Sequence, residues 1–243
     1  MTLPRRRVAD GGLVGVRVSD DMTRHERDGR PIYQRGYSRV WSFHPPGLAA
    51  AVDNSGAFHI DLLGNPAYTA RYFRTFGFYD GLATVEMDRG WTHITPDGAP
   101  IYSTRYRWLG NFQDGVCVAE RARGRFQHID VHGRPTYRQT FRYAGDFREG
   151  VAVVTLKNGT QTHILRDGSS LHGRVFAELG VFHKGFATAR DSKGWFHVDR
   201  FGRELYPARY AAVEPYYNGR SRVQTRSGSR LLIDEQGSPI ERI

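Results

Sequence analysis

Glycine recurs with a fixed phase along this chain, and that recurrence restricts the fold more than any other feature. Gly12, Gly47, Gly81, Gly115, Gly150, Gly185 and Gly219 open phrases such as "GLATV", at intervals of 35, 34, 34, 35, 35 and 34 residues. A second series keeps step with it: the turn glycines Gly29, Gly64, Gly98, Gly133, Gly168, Gly202 and Gly237 close phrases such as "HITPDG" and "HVDRFG". Eight positions after the turn glycine stands an aromatic residue in six copies, Tyr37, Tyr72, Tyr106, Phe141, Phe176 and Tyr210. A unit of this size cannot bury its apolar face alone, so seven copies imply neighbours stacked around a shared core.

Each copy reads as β structure. "GLATVEM" and "GWTHIT" are short, β-rich and partly alternating, with a polar turn between them, which is the pattern of a hairpin. "APIY" and "YRWLG" add one or two short strands, with Pro at a strand edge where no ladder donor is needed. No segment sustains a helical period, so the expected class is all-β. The last unit, 219–243, stops before its aromatic landmark, while residues 1–11, "MTLPRRRVADG", resemble the portion it lacks. The sequence therefore predicts one repeat domain over 1–243, a closed, β-propeller-like ring of seven ~35-residue repeats. Units begin near 12, 47, 81, 115, 150, 185 and 219, and residues 1–11 complete the last one. Closure removes the exposed edges that an open stack must protect. An open β-solenoid of hairpin repeats is the alternative.

Composition bounds the setting. With 39% hydrophobic and 25% charged residues, and no run of about 18 apolar residues, the chain reads as soluble with no membrane span. The basic start has no apolar stretch behind it, and the single Cys117 has no internal partner, so a cytoplasmic location is expected. Cys117 lies in the apolar run "GVCVA", where it reads as a small buried hydrophobe. The net charge of +10 attracts anions, yet the arginines are spread along the chain and only "PRRR" at 4–7 is a tight run. Nucleic acid is accordingly a less favoured partner than a protein, a peptide or an anionic small molecule.

The phrase "FYDGLATVEMDRGWTHITPDGAPI" resembles the WG repeat, in which an apolar F-x-x-G-L-A-x-V run precedes Trp-Gly, an aromatic, Ile-Asp and a turn glycine. The resemblance extends from Gly12 to the end. It departs in that Thr92 follows Trp91 where Gly is usual, and histidine takes the aromatic position in five copies. The resemblance implies a binding or scaffolding array with no assigned chemistry, and His-bearing repeats of this kind suggest a methyltransferase as a partner at most.

The histidines are His59, His93, His128, His163 and His197, with Arg24 and Leu232 read into the two remaining copies. If they converged they could hold a divalent metal, for which neutral imidazole is a natural ligand. If instead each fills a slot between repeats, His93→Phe should cost about 1 kcal/mol or less. A second polar set follows the turn: Arg71 with Tyr72, Arg105 with Tyr106, and Arg209 with Tyr210, spacing that could clamp a carboxylate or phosphate. The middle copies lose it, with Thr140-Phe141 and Val175-Phe176. Asp61, Asp130, Asp199 and Asp234 read as turn formers. No nucleophile-elbow, phosphate-loop or close Cys/His motif is present. The leading expectation is a binding module. An enzyme acting on a small anionic metabolite or peptide, with His and Arg/Tyr groups at the ring axis, is the alternative.

Overall fold

A computed structural model describes residues 12–243, and the chain is all-β. Seven antiparallel sheets follow one another. The first comprises β1 (Val16–Val18), β2 (His25–Arg27) and β3 (Arg30–Pro31); the second β4 (Arg39–His44), β5 (Leu48–Asp53) and β6 (Gly56–Ile60). The third holds β7 (Arg74–Tyr79), β8 (Leu82–Met87) and β9 (Gly90–Ile94); the fourth β10 (Trp108–Leu109), β11 (Val116–Ala122) and β12 (Arg125–Asp130). The fifth holds β13 (Tyr143–Ala144), β14 (Ala152–Thr155) and β15 (Gln161–Ile164); the sixth β16 (Glu178–Leu179), β17 (Ala187–Asp191) and β18 (Gly194–Val198). The seventh has four strands, β19 (Ala212–Val213), β20 (Arg220–Gln224), β21 (Arg230–Asp234) and β22 (Pro239–Arg242).

The sheets are offset from the sequence units. Each of the second to seventh sheets takes its first strand from before the phase glycine, as β7 precedes Gly81, and the glycine sits in the turn that follows. At Asp114-Gly115 both residues have positive φ, 51° and 78°, between the bridged pair Gln113 and Val116. Two left-handed residues in a two-residue loop make a type I′ turn, whose twist suits a hairpin and whose second position favours glycine. From the second sheet on, the phase glycine is thus a hairpin turn residue. After the third strand the chain doubles back and is pinned at two points, for example Ile94 to Pro100 and Trp91 to Tyr106.

Two compact units divide the chain: the part up to Arg123 with Ile129–Arg134, and Gly124–His128 with Pro135–Ile243. In the first unit, Val40, Ala49, Ala51, Phe58 and Ile60 form one buried cluster, and Phe78, Ala83, Val85 and Ile94 another. Cys117 is buried in a third with Leu109, Phe112 and Ile129. In the second unit Leu179, Phe182, Ala189, Phe196, Val198, Val223 and Ile233 form the core. Third strands such as "GWTHI" are buried on both faces from Trp91 to Ile94, which explains why they read as continuous rather than alternating runs. The segment expected to complete the last unit, residues 1–11, lies outside the described residues. The seventh sheet draws its four strands from within 212–242.

Candidate functional site

His93 shows what the repeat does with its histidine. It is the penultimate residue of β9, fully buried, and its Nδ1 lies 2.5 Å from Tyr102 Oη, nine residues on. Its Nε2 lies 3.0 Å from the carbonyl oxygen of Gly110, seventeen residues on and just beyond β10, the first strand of the next sheet. The ring packs at 4.4 Å on Phe112 from the same stretch. A carbonyl can only accept, so Nε2 carries the proton and Nδ1 accepts from the tyrosine hydroxyl. One neutral side chain therefore fastens the third strand of a sheet to its own returning segment and to the sheet that follows.

The arrangement recurs. His59 bonds Tyr68 Oη at 2.5 Å and the Phe76 carbonyl at 2.8 Å; His128 bonds Tyr137 Oη at 2.5 Å and the Gly145 carbonyl at 2.9 Å. His197 bonds Tyr206 Oη at 2.5 Å and the Glu214 carbonyl at 2.8 Å. The first copy also has it, through His25, with Tyr33 Oη at 2.6 Å and the Trp41 carbonyl at 2.9 Å. This corrects the assignment of Arg24 to that position. The turn from His25 to Gly29 is one residue shorter than that from His59 to Gly64, so counting back from the glycine lands one residue early. The sequence signal for the pairing is the histidine-to-tyrosine spacing, nine residues in four copies and eight in the first.

Burial sets the electrostatics. His59, His93, His128, His163 and His197 are all held down to about 4, because removing the ring from water disfavours the cation; each carbonyl bond opposes this only in part. The same desolvation pushes Tyr33 up to about 12, and Tyr68, Tyr102 and Tyr206 are likewise raised. These tyrosines have a second duty. The ring of Tyr68 lies over the next turn glycine, where a Cβ on Gly98 would meet it at 2.5 Å, and Gly98 has a φ of 82°. Backbone conformation and close approach both demand glycine there.

Two copies depart. In the fifth sheet His172 replaces the tyrosine: its Nε2 donates to His163 Nδ1 at 3.0 Å, and its own Nδ1 accepts the Arg174 backbone N–H at 3.2 Å. In the seventh, Leu232 stands opposite Arg222, in the register that pairs His197 with Thr188 in the sixth.

The expected anion clamps are engaged by the chain itself. Arg71 donates to the carbonyls of Tyr68, Thr69 and Ala70 and to Ser55 Oγ, and lies 3.9 Å above the Phe58 ring. Arg105 donates to the carbonyls of Tyr102, Ser103 and Thr104. Arg209 pairs with Asp191 at 2.8 Å and Glu204 at 2.9 Å, over the Phe196 ring. Tyr72 and Tyr106 donate to the carbonyls of Gly98 and Gly133 at 2.6 and 2.7 Å, and Tyr210 is buried in the second unit's core. Asp61, Asp130, Asp199 and Asp234 each accept two backbone N–H groups in the turn that follows, as Asp61 does from Leu63 and Asn65. Among the described residues no three His, Cys, Asp or Glu side chains come together as a metal site. Each histidine of the series has both ring nitrogens hydrogen-bonded.

The family model described as "WG containing repeat" matches residues 195–227. No curated protein matches the chain. Among solved structures, a eukaryotic initiation factor aligns with a TM-score of 0.52 at 9% identity, covering 88% of this chain and 67% of that one. BamB from Moraxella catarrhalis aligns at 0.48 and 14% identity, covering 88% and 77%. The WD40 beta propeller domain of Doa1 aligns at 0.37 and 16% identity, covering 85% of each. At 9% identity the likeness to the initiation factor bears on the fold alone. Residues 195–227 match the WG containing repeat, and the position of their His197 is held by a buried histidine in six of the seven described copies.

Proposed function

We propose that this protein is an interaction module of WG repeats whose partner is a protein, a peptide or an anionic small molecule. The supporting observation is a division of labour among side chains. The repeat's histidines, their partner tyrosines and Arg71, Arg105 and Arg209 are engaged within the chain, while large apolar groups stand outside on or beside successive first strands of the first unit. Trp41 on β4 is 40% exposed with the Arg39 guanidinium 5.1 Å above it; Phe73 and Phe76, before and on β7, are 68% and 45% exposed. Exposed aromatics beside arginine are the residue types that anchor protein interfaces. The closed seven-unit ring and the cytoplasmic location belong to this proposal, the first resting on the sequence period.

The test is affinity capture with the purified chain as bait, comparing wild type with Trp41→Ser/Phe73→Ser. Loss of a reproducible partner at an unchanged melting temperature supports the reading. Equal capture by both proteins removes the aromatic row as its basis.

A further inference from the structure

The seventh sheet breaks a pattern that the second to sixth sheets keep. Three positions after the phase glycine, the second strand carries Ala50, Thr84, Val118, Val153 and Thr188 in successive copies, and the first four are buried. The seventh copy has Arg222 there, exposed, with exposed Arg220 two residues before it, while the intervening Ser221 is buried. The histidine of the third strand is replaced by Leu232. A face built elsewhere to be covered is here charged.

These residues line a cleft of about 640 Å³ together with Glu214, Pro215, Tyr217 and Asn218. That volume lies in the range of small-ligand and peptide pockets. Lys184 adds a third cation at the rim, its Nζ 3.4 Å from Asn218 Oδ1. Tyr217 is 60% exposed and its ring lies 4.7 Å from His183. Where Arg209 is locked by two carboxylates, neither Arg220 nor Arg222 forms an ion pair among the described residues. Glu214 is the one anion in the lining, and Glu241 stands opposite Leu232 on β22.

We propose that this cleft binds an extended acidic peptide segment. Arg220 and Arg222 sit on one face of β20, two residues and so about 7 Å apart. Carboxylates on alternate residues of an extended strand have the same spacing, so each guanidinium meets one carboxylate through its planar fork. Leu232 supplies an apolar contact and Tyr217 an amphipathic wall. The inference rests on the interaction-module reading but uses a surface of the second unit, separate from the aromatic row of the first.

Fluorescence anisotropy on the full chain tests it, with a labelled extended peptide bearing glutamates at alternate positions. Expected is saturable binding that weakens about tenfold or more in Arg220→Ala and in Arg222→Ala, is only partly restored by Arg222→Lys, and strengthens severalfold in Glu214→Gln. Melting temperatures should stay unchanged, since both arginines are exposed. Undiminished binding by the double alanine variant, or no binding by wild type, overturns the proposal. So does equal competition by inorganic phosphate or single-stranded DNA, which would mean charge attraction without the peptide's spacing. Partner capture through Trp41 and Phe73 is measured in parallel: its persistence when peptide binding fails refutes this cleft alone, and failure of both refutes the module reading as well.

Discussion

The third sheet and the seventh are built from the same phrase, yet they hold themselves together differently. In the third, His93 is fully buried and donates to Gly110, accepts from Tyr102 and packs on Phe112. In the seventh, Leu232 at the matching position is only half-buried, and its neighbour across the hairpin is the exposed Arg222. Where the third strand carries the buried histidine, its Nε2 reaches a carbonyl of the stretch next in sequence, as His93 does at Gly110 and His197 at Glu214. Leu232 has no such donor and stands beside charge instead. The same imidazole would be wasted in water, because a solvated carbonyl needs no donor from the protein.

The largest expected contrast is with pH. The five rings held near 4 in the folded state return to about 6.5 when unfolded, so between these values the unfolded chain binds more protons. Stability is therefore flat above 6.5 and falls as pH is lowered from 6.5 towards 4. Acid unfolding should take up about five protons from these rings, with a further contribution from His25 and His172, which burial also lowers, read as the pH dependence of urea midpoints. A midpoint that stays constant from pH 7 to 4.5 would break the account, while the seventh sheet, having no such histidine, contributes nothing to the slope.

Substitution sharpens the same contrast. His93→Ala should cost about 4 kcal/mol, because it opens a cavity and strands the Tyr102 hydroxyl and the Gly110 carbonyl. His93→Phe, expected from sequence to cost about 1 kcal/mol or less, should cost roughly 2 to 3. The earlier figure allowed for one lost hydrogen bond, whereas the ring has two buried partners. Leu232→Ala should cost only about 1 kcal/mol, since a half-buried side chain loses less apolar contact. Denaturant melts of the three variants order them; a Leu232 effect as large as that of His93→Ala would erase the distinction between the sheets.

The fold was legible where chemistry has a fixed period. The phase glycine revealed the hairpin turn because only glycine suits the second position of that turn, and the aspartates after the third strand declared their turns in the same way. What could not be read was any partner found across sheets. Nothing local in "GWTHITPDG" says that the imidazole reaches the carbonyl of Gly110 seventeen residues on. His25 was missed because a one-residue shortening of the turn shifts the count, though its spacing of 34 to His59 keeps the period. Arg71 and Arg105 show the limit of motif reading for a site. Their spacing to tyrosine suits a clamp, but a guanidinium in such a bend finds three carbonyls of its own chain first. Arg220 and Arg222 carried no repeated signal, because they mark the copy that departs from the repeat.

The central claim is that the repeated histidines are neutral fasteners with the proton on Nε2. Histidine-selective ¹⁵N NMR of the folded protein, titrated from pH 8 to 5, reads this directly. The account predicts that the rings of His59, His93, His128 and His197 show protonated Nε2 and unprotonated Nδ1 throughout, with no titration near 6.5, and that His25 has the same tautomer at pH 8. Rings that titrate near 6.5, or that shift together when a divalent metal is added, would contradict it.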